Sequence, residues 1–357
     1  MKKFLLSKKG KFYKANLHMH TTISDGQMTP EETKAHYIKN GYAVVAFTDH
    51  DIMVRHNDLT DENFIAINSM EAYYNTEYFD ICFDAAYAKM SHPYAFVDTY
   101  HLNFYAKNPS ITACPAFSKK YLPREHSHAF ITEDMLVPEL ERDYSVACVN
   151  DIIKKANEAG FLVSYNHPVW SGQTYEQYGD LQDVWGVEVY NGANLNGWIE
   201  NDHAFEDLVR QGKNVFPLAS DDAHDYAHTC GGWVMIKAEK LTYEDIIISL
   251  EKGDFYASTG PEIYELYIED NRLCVSCSAA MKIIVSTERR TVWQEKQQGE
   301  PITFASFDLI NYLNDCKEIQ KGLGLPRRPF FRVRIFDDKG GIAYTRAYFL
   351  DELGLKF

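Results

Sequence analysis

Over the first two thirds of this 357-residue chain, short apolar runs alternate with helical patterns. That rhythm marks parallel βα units, in which each strand is buried on both faces and a helix leads to the next strand. Candidate strands cover residues 15–20, 42–48, 64–70, 100–106, 161–166, 185–190 and 215–220. The helices between them carry their own signals. Thr29, Pro30 and Glu32 make a capped start with a capping box, and Asn40-Gly41 closes that helix. Val149, Ile152, Ile153 and Ala156 share one face of a second helix, which Gly160 ends. Phe205, Leu208 and Val209 mark a third, and Ile246, Ile247 and Leu250 a fourth. About seven strands with intervening helices suit a barrel better than an open sheet.

The residues that follow the apolar runs carry the chemistry. In the segment NLHMHTTISDG, alternate side chains of an extended strand face the same way, so His18 and His20 form a half-site for a metal ion. Asp25, in a loop turned by Gly26, can fold back over the same end. A lone pair of this kind is also the ordinary edge of a strand. The second run, Val44-Val45-Ala46-Phe47, leads straight into Thr48-Asp49-His50-Asp51. Glu71 then follows its own apolar run, as do His167, Asp222 and His224, and His101 lies in the strand-like TYHLNFYA. In parallel α/β folds the carboxyl ends of the strands are where active sites are built. Unrelated loops would not place metal-competent groups there repeatedly.

Composition narrows the possibilities. The net charge of -15 opposes broad binding to nucleic acid or to an anionic membrane, although bound divalent ions would create a local cationic point. The opening MKKFLLSKKGKFYKAN has too short an apolar run for a secretory segment or a membrane span. Seven scattered cysteines fit reduced thiols, and the expectation is a cytoplasmic protein. Cys274 and Cys277 form a single CxxC inside an alternating strand pattern, which reads as core rather than as a zinc site. Two stretches rich in Tyr, Pro and His, near 73–98 and 107–144, interrupt the βα rhythm and read as functional loops. After Pro261 the pattern turns to β-hairpins, around Asp270-Asn271 and around residues 337–341. The expected division is therefore 1–260 for the main unit and 261–357 for a small β-rich one.

Taken together, the sequence resembles the polymerase-and-histidinol-phosphatase (PHP) family. The matching residues are His18-Met19-His20 with Ser24-Asp25-Gly26, Thr48-Asp49-His50-Asp51, Glu71, Asn166-His167-Pro168, and Asp222-Ala223-His224. The likeness spans about residues 15–260, and GDFYASTGP resembles the end of the catalytic part in stand-alone members. It implies a distorted seven-stranded (β/α) barrel, similar to a TIM barrel, holding two or three divalent ions. One ion would take His18, His20, Glu71 and Asp222. A second would share Glu71 and take His101 and His167. A third would take Asp25, His50 and His224. Two positions carry alternatives: His92 for His101, and Asp221 for Asp222. The strand-like setting favours His101, and the D-x-H spacing favours Asp222.

The reading is a metal-dependent phosphoesterase that uses a metal-bridging hydroxide on a small phosphorylated metabolite or nucleotide. The alternatives are a hydrolase of an amide-type bond and a metal-binding module without activity. The ligand types suit Zn, Mn or Fe. Asp51 and His203 are candidates for the general acid, and Arg55 and Arg124 for holding phosphate. His36 and the pair His126 and His128 read as surface groups. The sequence leaves the oligomeric state open.

Overall fold

In the computed structural model the described residues are 2–75, 98–122, 124–193, 201–324 and 327–354. The main unit contains β1 (Lys3–Phe4), β2 (Lys11–Asn16), α1 (Pro30–Lys39), β3 (Tyr42–Phe47), β4 (Ile65–Asn75) and β5 (Thr99–Ala106). It continues with α2 (Val146–Glu158), β6 (Phe161–Tyr165), α3 (Tyr175–Tyr178), β7 (Gly186–Asn191), α4 (His203–Arg210) and β8 (Phe216–Ser220). The strands β9 (Trp233–Ala238) and β10 (Phe255–Ser258) flank α5 (Tyr243–Lys252). Beyond these lie β11 (Ile263–Glu269), β12 (Arg272–Ala280), β13 (Lys282–Thr287), β14 (Val292–Lys296) and β15 (Ile302–Asp308). Then come α6 (Ile310–Gly322), β16 (Phe330–Phe336), β17 (Ile342–Tyr344) and β18 (Tyr348–Phe349).

The local signals act as physics requires. The Thr29 side chain accepts from the Glu32 amide at 3.2 Å, and the Glu32 carboxylate accepts from the Thr29 amide at 2.9 Å, so α1 starts on a complete capping box. Helix α5 ends on Gly253 at φ 70, the left-handed conformation that glycine takes without a Cβ clash. In the hairpin between β11 and β12, Asp270 and Asn271 both have positive φ, as a tight turn demands.

The large sheet is mixed, so the expected distorted (β/α) barrel is seen only as a mixed α/β fold, with parallel pairing in part of the sheet. Its order is β14-β13-β16-β17-β10-β9-β2-β3-β4-β5-β6-β7-β8, with β18 on β16. The pairs β2/β3, β3/β4, β6/β7 and β7/β8 are parallel. Strand β5 runs antiparallel to both neighbours, and β9 runs antiparallel to β2 and β10. Among the described residues the hydrogen-bonded ladders do not close into a barrel. The ends meet through single contacts instead: Met19 and Ala223 form an isolated parallel bridge, and the Asp222 amide donates to the His18 carbonyl at 2.9 Å. An apolar run fixes a strand's existence, but its direction depends on the connection, and the connection into β5 passes through residues 76–97, outside the described residues.

The largest core lies between these strands and the helices. Val44, Ile67, Phe104, Val163, Val187 and Leu218 meet Ile152, Phe205, Leu208 and Leu250. A second core unites Leu266, Val275, Ile283, Phe331 and Val333 with Leu5 and Leu6 from the start of the chain. Here β1, β11, β12 and β15 form a separate antiparallel sheet, while β10 pairs with β17 and carries the large sheet past residue 261. Cys274 and Cys277 are buried on β12, in keeping with the strand reading.

Candidate metal centre

The carboxyl ends of β2, β3, β6, β7 and β8, the second half of β4 with Glu71 and the amino end of the antiparallel β5 with His101 converge on one cluster of imidazoles and carboxylates, so these two groups do not sit at a carboxyl end as expected. Strand β2 stops at Asn16, so His18 and His20 sit on its extended continuation, not within the ladder. Their Nε2 atoms lie 3.2 Å apart. The Oδ1 atom of Asp222 is 3.2 Å from the first and 3.0 Å from the second. The Glu71 oxygens lie 3.3 and 3.4 Å from the same two nitrogens. With metal–ligand bonds of about 2.0–2.2 Å, ligand atoms around one ion fall about 3–3.5 Å apart.

Among the described residues, four overlapping groups each bring their donor atoms within 4.8 Å of one another: His18, His20, Glu71 and Asp222; Glu71, His101 and His167; His20, Asp25, His50 and His224; His18, His167 and Glu188. All nine ligand candidates from the sequence fall in these groups, and Glu188 is added. His92 lies outside the described residues.

Each residue of Thr48-Asp49-His50-Asp51 has its own task. The Thr48 hydroxyl accepts from the Met19 amide at 2.9 Å and so ties β3 to the histidine segment. Asp49 accepts from the Thr21 amide at 2.8 Å and from the Ser24 hydroxyl at 2.7 Å, which folds the ISDG loop back and brings Asp25 to the cluster. The turn leaves no room at Gly26, where a Cβ would lie 2.2 Å from the His20 carbonyl oxygen. His50 places Nδ1 3.0 Å from Glu71. Asp51 is buried and pairs with Arg142 at 2.6 Å.

The electrostatics call for a cation. His18 Nδ1 lies 2.8 Å from Glu188 Oε1, which leaves Nε2 to face the cluster. Burial disfavours charge on His18, but Asp222, Glu71 and Glu188 outweigh it and lift the imidazole well above the usual histidine range. Burial and the neighbouring His50 and His224 push His20 down to about 3, leaving a neutral ring. Burial opposes ionisation of Glu71 and Asp222 too, yet the surrounding imidazoles hold both carboxyls well below their ordinary values. Among the described residues, the buried Glu71 Oε2 and Asp222 Oδ1 accept no well-directed hydrogen bond, although imidazole nitrogens lie 3.0–3.4 Å away. Such orphans are costly unless an ion satisfies them. Asp51, His167 and Asp222 also take positive φ, at 56°, 26° and 49°, a strained conformation for non-glycine residues.

Asp221 plays a different part. Burial raises its carboxyl to about 6, against hydrogen bonds from the Tyr37 hydroxyl and the amides of Cys230, Gly231 and Gly232. It braces the loop while the next residue turns into the cluster.

The sequence could not foresee several partners. Glu188 lies between Val187 and Val189 in a buried strand, and that placement of a carboxylate was the available signal. It also receives hydrogen bonds from the His167 amide at 2.9 Å and from the Ser220 hydroxyl. Asn166 donates to Glu71 at 2.9 Å, and Asn191 donates to Asp222 at 3.1 Å. Arg142 comes from the second long loop, which also docks over the ISDG turn. There Arg124 meets Asp25 at 3.2 Å, His126 donates to the Ser24 carbonyl at 2.9 Å, and Ser127 donates to the Ile23 carbonyl at 2.6 Å.

Other candidates stay apart. Arg55 pairs with Asp134 at 2.8 Å, and His203 is the exposed first residue of α4. Neither joins the four donor groups. His36 meets Thr229 on the outer side of α1 at 2.9 Å.

Fold and side chains together define a mixed α/β protein with a His/carboxylate cluster at the strand ends. No protein-family model and no curated protein matches the sequence. Solved structures similar to the chain include a two-domain protein from Bacteroides vulgatus, described as containing a predicted PHP-like metal-dependent phosphoesterase, at 14% identity and TM-score 0.44. That match covers 97% of this chain and 98% of the other. A second, from Bifidobacterium adolescentis and described as a metal-dependent phosphoesterase candidate, is 16% identical with TM-score 0.39, covering 69% of this chain and 96% of its own. A third, an amidohydrolase from Chromobacterium violaceum, is 14% identical with TM-score 0.37, covering 59% and 88%. At these values the case for function rests on the side chains.

Proposed function

We propose that the cluster binds two or three divalent ions and that the protein is a metal-dependent phosphoesterase acting on a small phosphorylated compound. The observation that carries this reading is the sharing of ligands. Glu71 belongs to two donor groups, as do His18, His20 and His167, so ions held there would be close neighbours. Bound ions of this kind activate a coordinated water near neutral pH and offset the charge of a phosphoryl group.

The chain's own groups do the rest. Imidazoles that coordinate as neutral rings would leave the ions' positive charge on the site, while Glu71, Asp222 and Asp25 would hold the ions in place. Arg124, half-exposed beside Asp25, is positioned to bind a phosphate oxygen at the mouth. Trp170 is 46% exposed, and its ring lies 4.9 Å from that of His167 and 5.4 Å from that of His101, giving the organic part of a substrate a flat surface. Asp51 is committed to Arg142, so we assign it to holding the His50 loop. Zn, Mn and Fe all suit the donor set.

The test is elemental analysis of the purified protein, followed by assay against phosphomonoesters, phosphodiesters and amides. Stoichiometric metal with phosphate-ester hydrolysis supports the proposal. A metal-loaded protein that cleaves amides and no phosphate ester overturns it in favour of an amide hydrolase, and one that cleaves nothing points to a binding module.

A further inference from the structure

A second charged feature lies where α4 meets the C-terminal strands. A cavity of about 540 Å³ is lined by Arg210, Glu288, Arg289, Arg290, Thr291 and Arg327. Four arginines and one glutamate line it, a surplus of three positive charges in a chain whose net charge is -15. The arginines come from three separate places: the last turn of α4, the turn between β13 and β14, and the segment before β16.

The carboxylate does little to neutralise them. Glu288 is buried, and its Oε2 accepts from the Tyr312 hydroxyl at 2.5 Å and from the Phe330 amide at 3.3 Å. Its Oε1 meets only Arg289 Nε among these arginines, at 3.5 Å. Arg210 pairs with Glu206 through Nε at 3.0 Å, which leaves its two terminal nitrogens outside that bond. Arg290 and Arg327 form no ion pair among the described residues. The turn itself is held in shape: Thr287 Oγ1 accepts from the Arg289 amide at 3.3 Å and donates to the Thr291 carbonyl at 3.0 Å.

Like charges gathered around one cavity repel, and an anion bound among them would relieve that repulsion. The planar fork of a guanidinium matches the oxygens of phosphate. We propose that this cavity is an anion site for a small ligand bearing two or more phosphate groups. Its volume is in the range of small-molecule sites, about 300–1,000 Å³. It stands apart from the metal cluster. Arg210 precedes the amino end of β8, whereas Asp222 and His224 follow the carboxyl end, and five strand residues span about 16 Å.

The experiment is calorimetric titration of inorganic pyrophosphate into the full chain, as wild type, as the double variant R290A/R327A and as D222N. Both arginines are exposed, so their replacement should leave the fold intact, which circular dichroism checks. Wild type should bind, and the double variant should bind at least about tenfold more weakly, the loss expected for charge-assisted hydrogen bonds. D222N should stay within about threefold of wild type, since distant sites act independently. Unchanged binding by R290A/R327A overturns the proposal. So does loss of binding in D222N alone, which would place the anion at the metal cluster, or no binding by the wild type.

Discussion

Two clusters in this protein bury charge, and they resolve it in opposite ways. At the strand ends, carboxylates are surrounded by imidazoles, with orphaned oxygens and strained backbone. Where α4 meets β16, Asp202 and Glu206 close on the guanidinium of Arg332, which is fully buried, and Arg334 adds a contact to Asp202 at 3.2 Å. The second cluster brings its own counter-charge. The first sets only imidazoles against its carboxylates and leaves Glu71 Oε2 and Asp222 Oδ1 without a hydrogen bond among the described residues, and we read that difference as the one between a site for a foreign cation and a structural joint. The joint is not perfect, because Nε and Nη1 of Arg332 have no hydrogen-bond partner among the described residues.

The contrast can be broken at its strongest point first. D222N removes a carboxylate from the shared donor set and should cut turnover at least about a thousandfold, the scale seen when one member of a catalytic unit is lost. Its thermal transition should stay close to that of the metal-free wild type. Steady-state kinetics alongside calorimetry would read both, and near-normal turnover would remove the cluster from the chemistry.

R332M should do the reverse, lowering stability by about 3 kcal/mol in urea titration, because two partly buried carboxylates lose their partner, while metal content is unchanged. The pH dependence gives a finer check. Burial pushes the Asp202 carboxyl up, but Arg332 and Arg334 outweigh it and hold it below its ordinary value. The stabilisation from that pair is therefore complete above about pH 4 and drains away as pH falls through the depressed value. The stability gap between wild type and R332M should narrow on acidification; a gap that widens would contradict the pairing.

E188Q should weaken metal binding about 10- to 100-fold, since it disturbs the partner that orients His18 without removing a shared ligand. A competitive chelator titration measures this. The smallest effect belongs to an ordinary helix cap away from both clusters. T29A should cost about 1 kcal/mol in chemical denaturation and leave metal affinity alone.

Much of the site was legible because the chemistry sits at fixed places along the chain. His50, Glu71, His167 and Asp222 each follow an apolar run, and His18 and His20 share a face by alternation. Partners that act through tertiary contact left fainter marks. Arg142 lies in an irregular loop 91 positions from Asp51, and no local pattern links them. Strand direction was equally hidden: the alternation in TYHLNFYA announces β5 but is the same whichever way it runs. The hairpin after Glu269 was readable from Asp270-Asn271, whereas β13, β14 and α6 carry no comparable turn signal. The four-arginine cavity draws on residues 210 to 327 and emerges only when the chain is folded.

The two-residue strand β1 has a long reach. Because β1 bonds to β11, with Lys3 opposite Ile268 and Phe4 opposite Tyr267, the head of the chain is buttoned into the sheet made by its later part. A cut near residue 261 would strand Leu5 and Leu6 in water and leave β10 without β17. The halves are thus a clasp rather than beads on a string, and damage to the rear sheet would be felt in the very segment that leads to the first histidine.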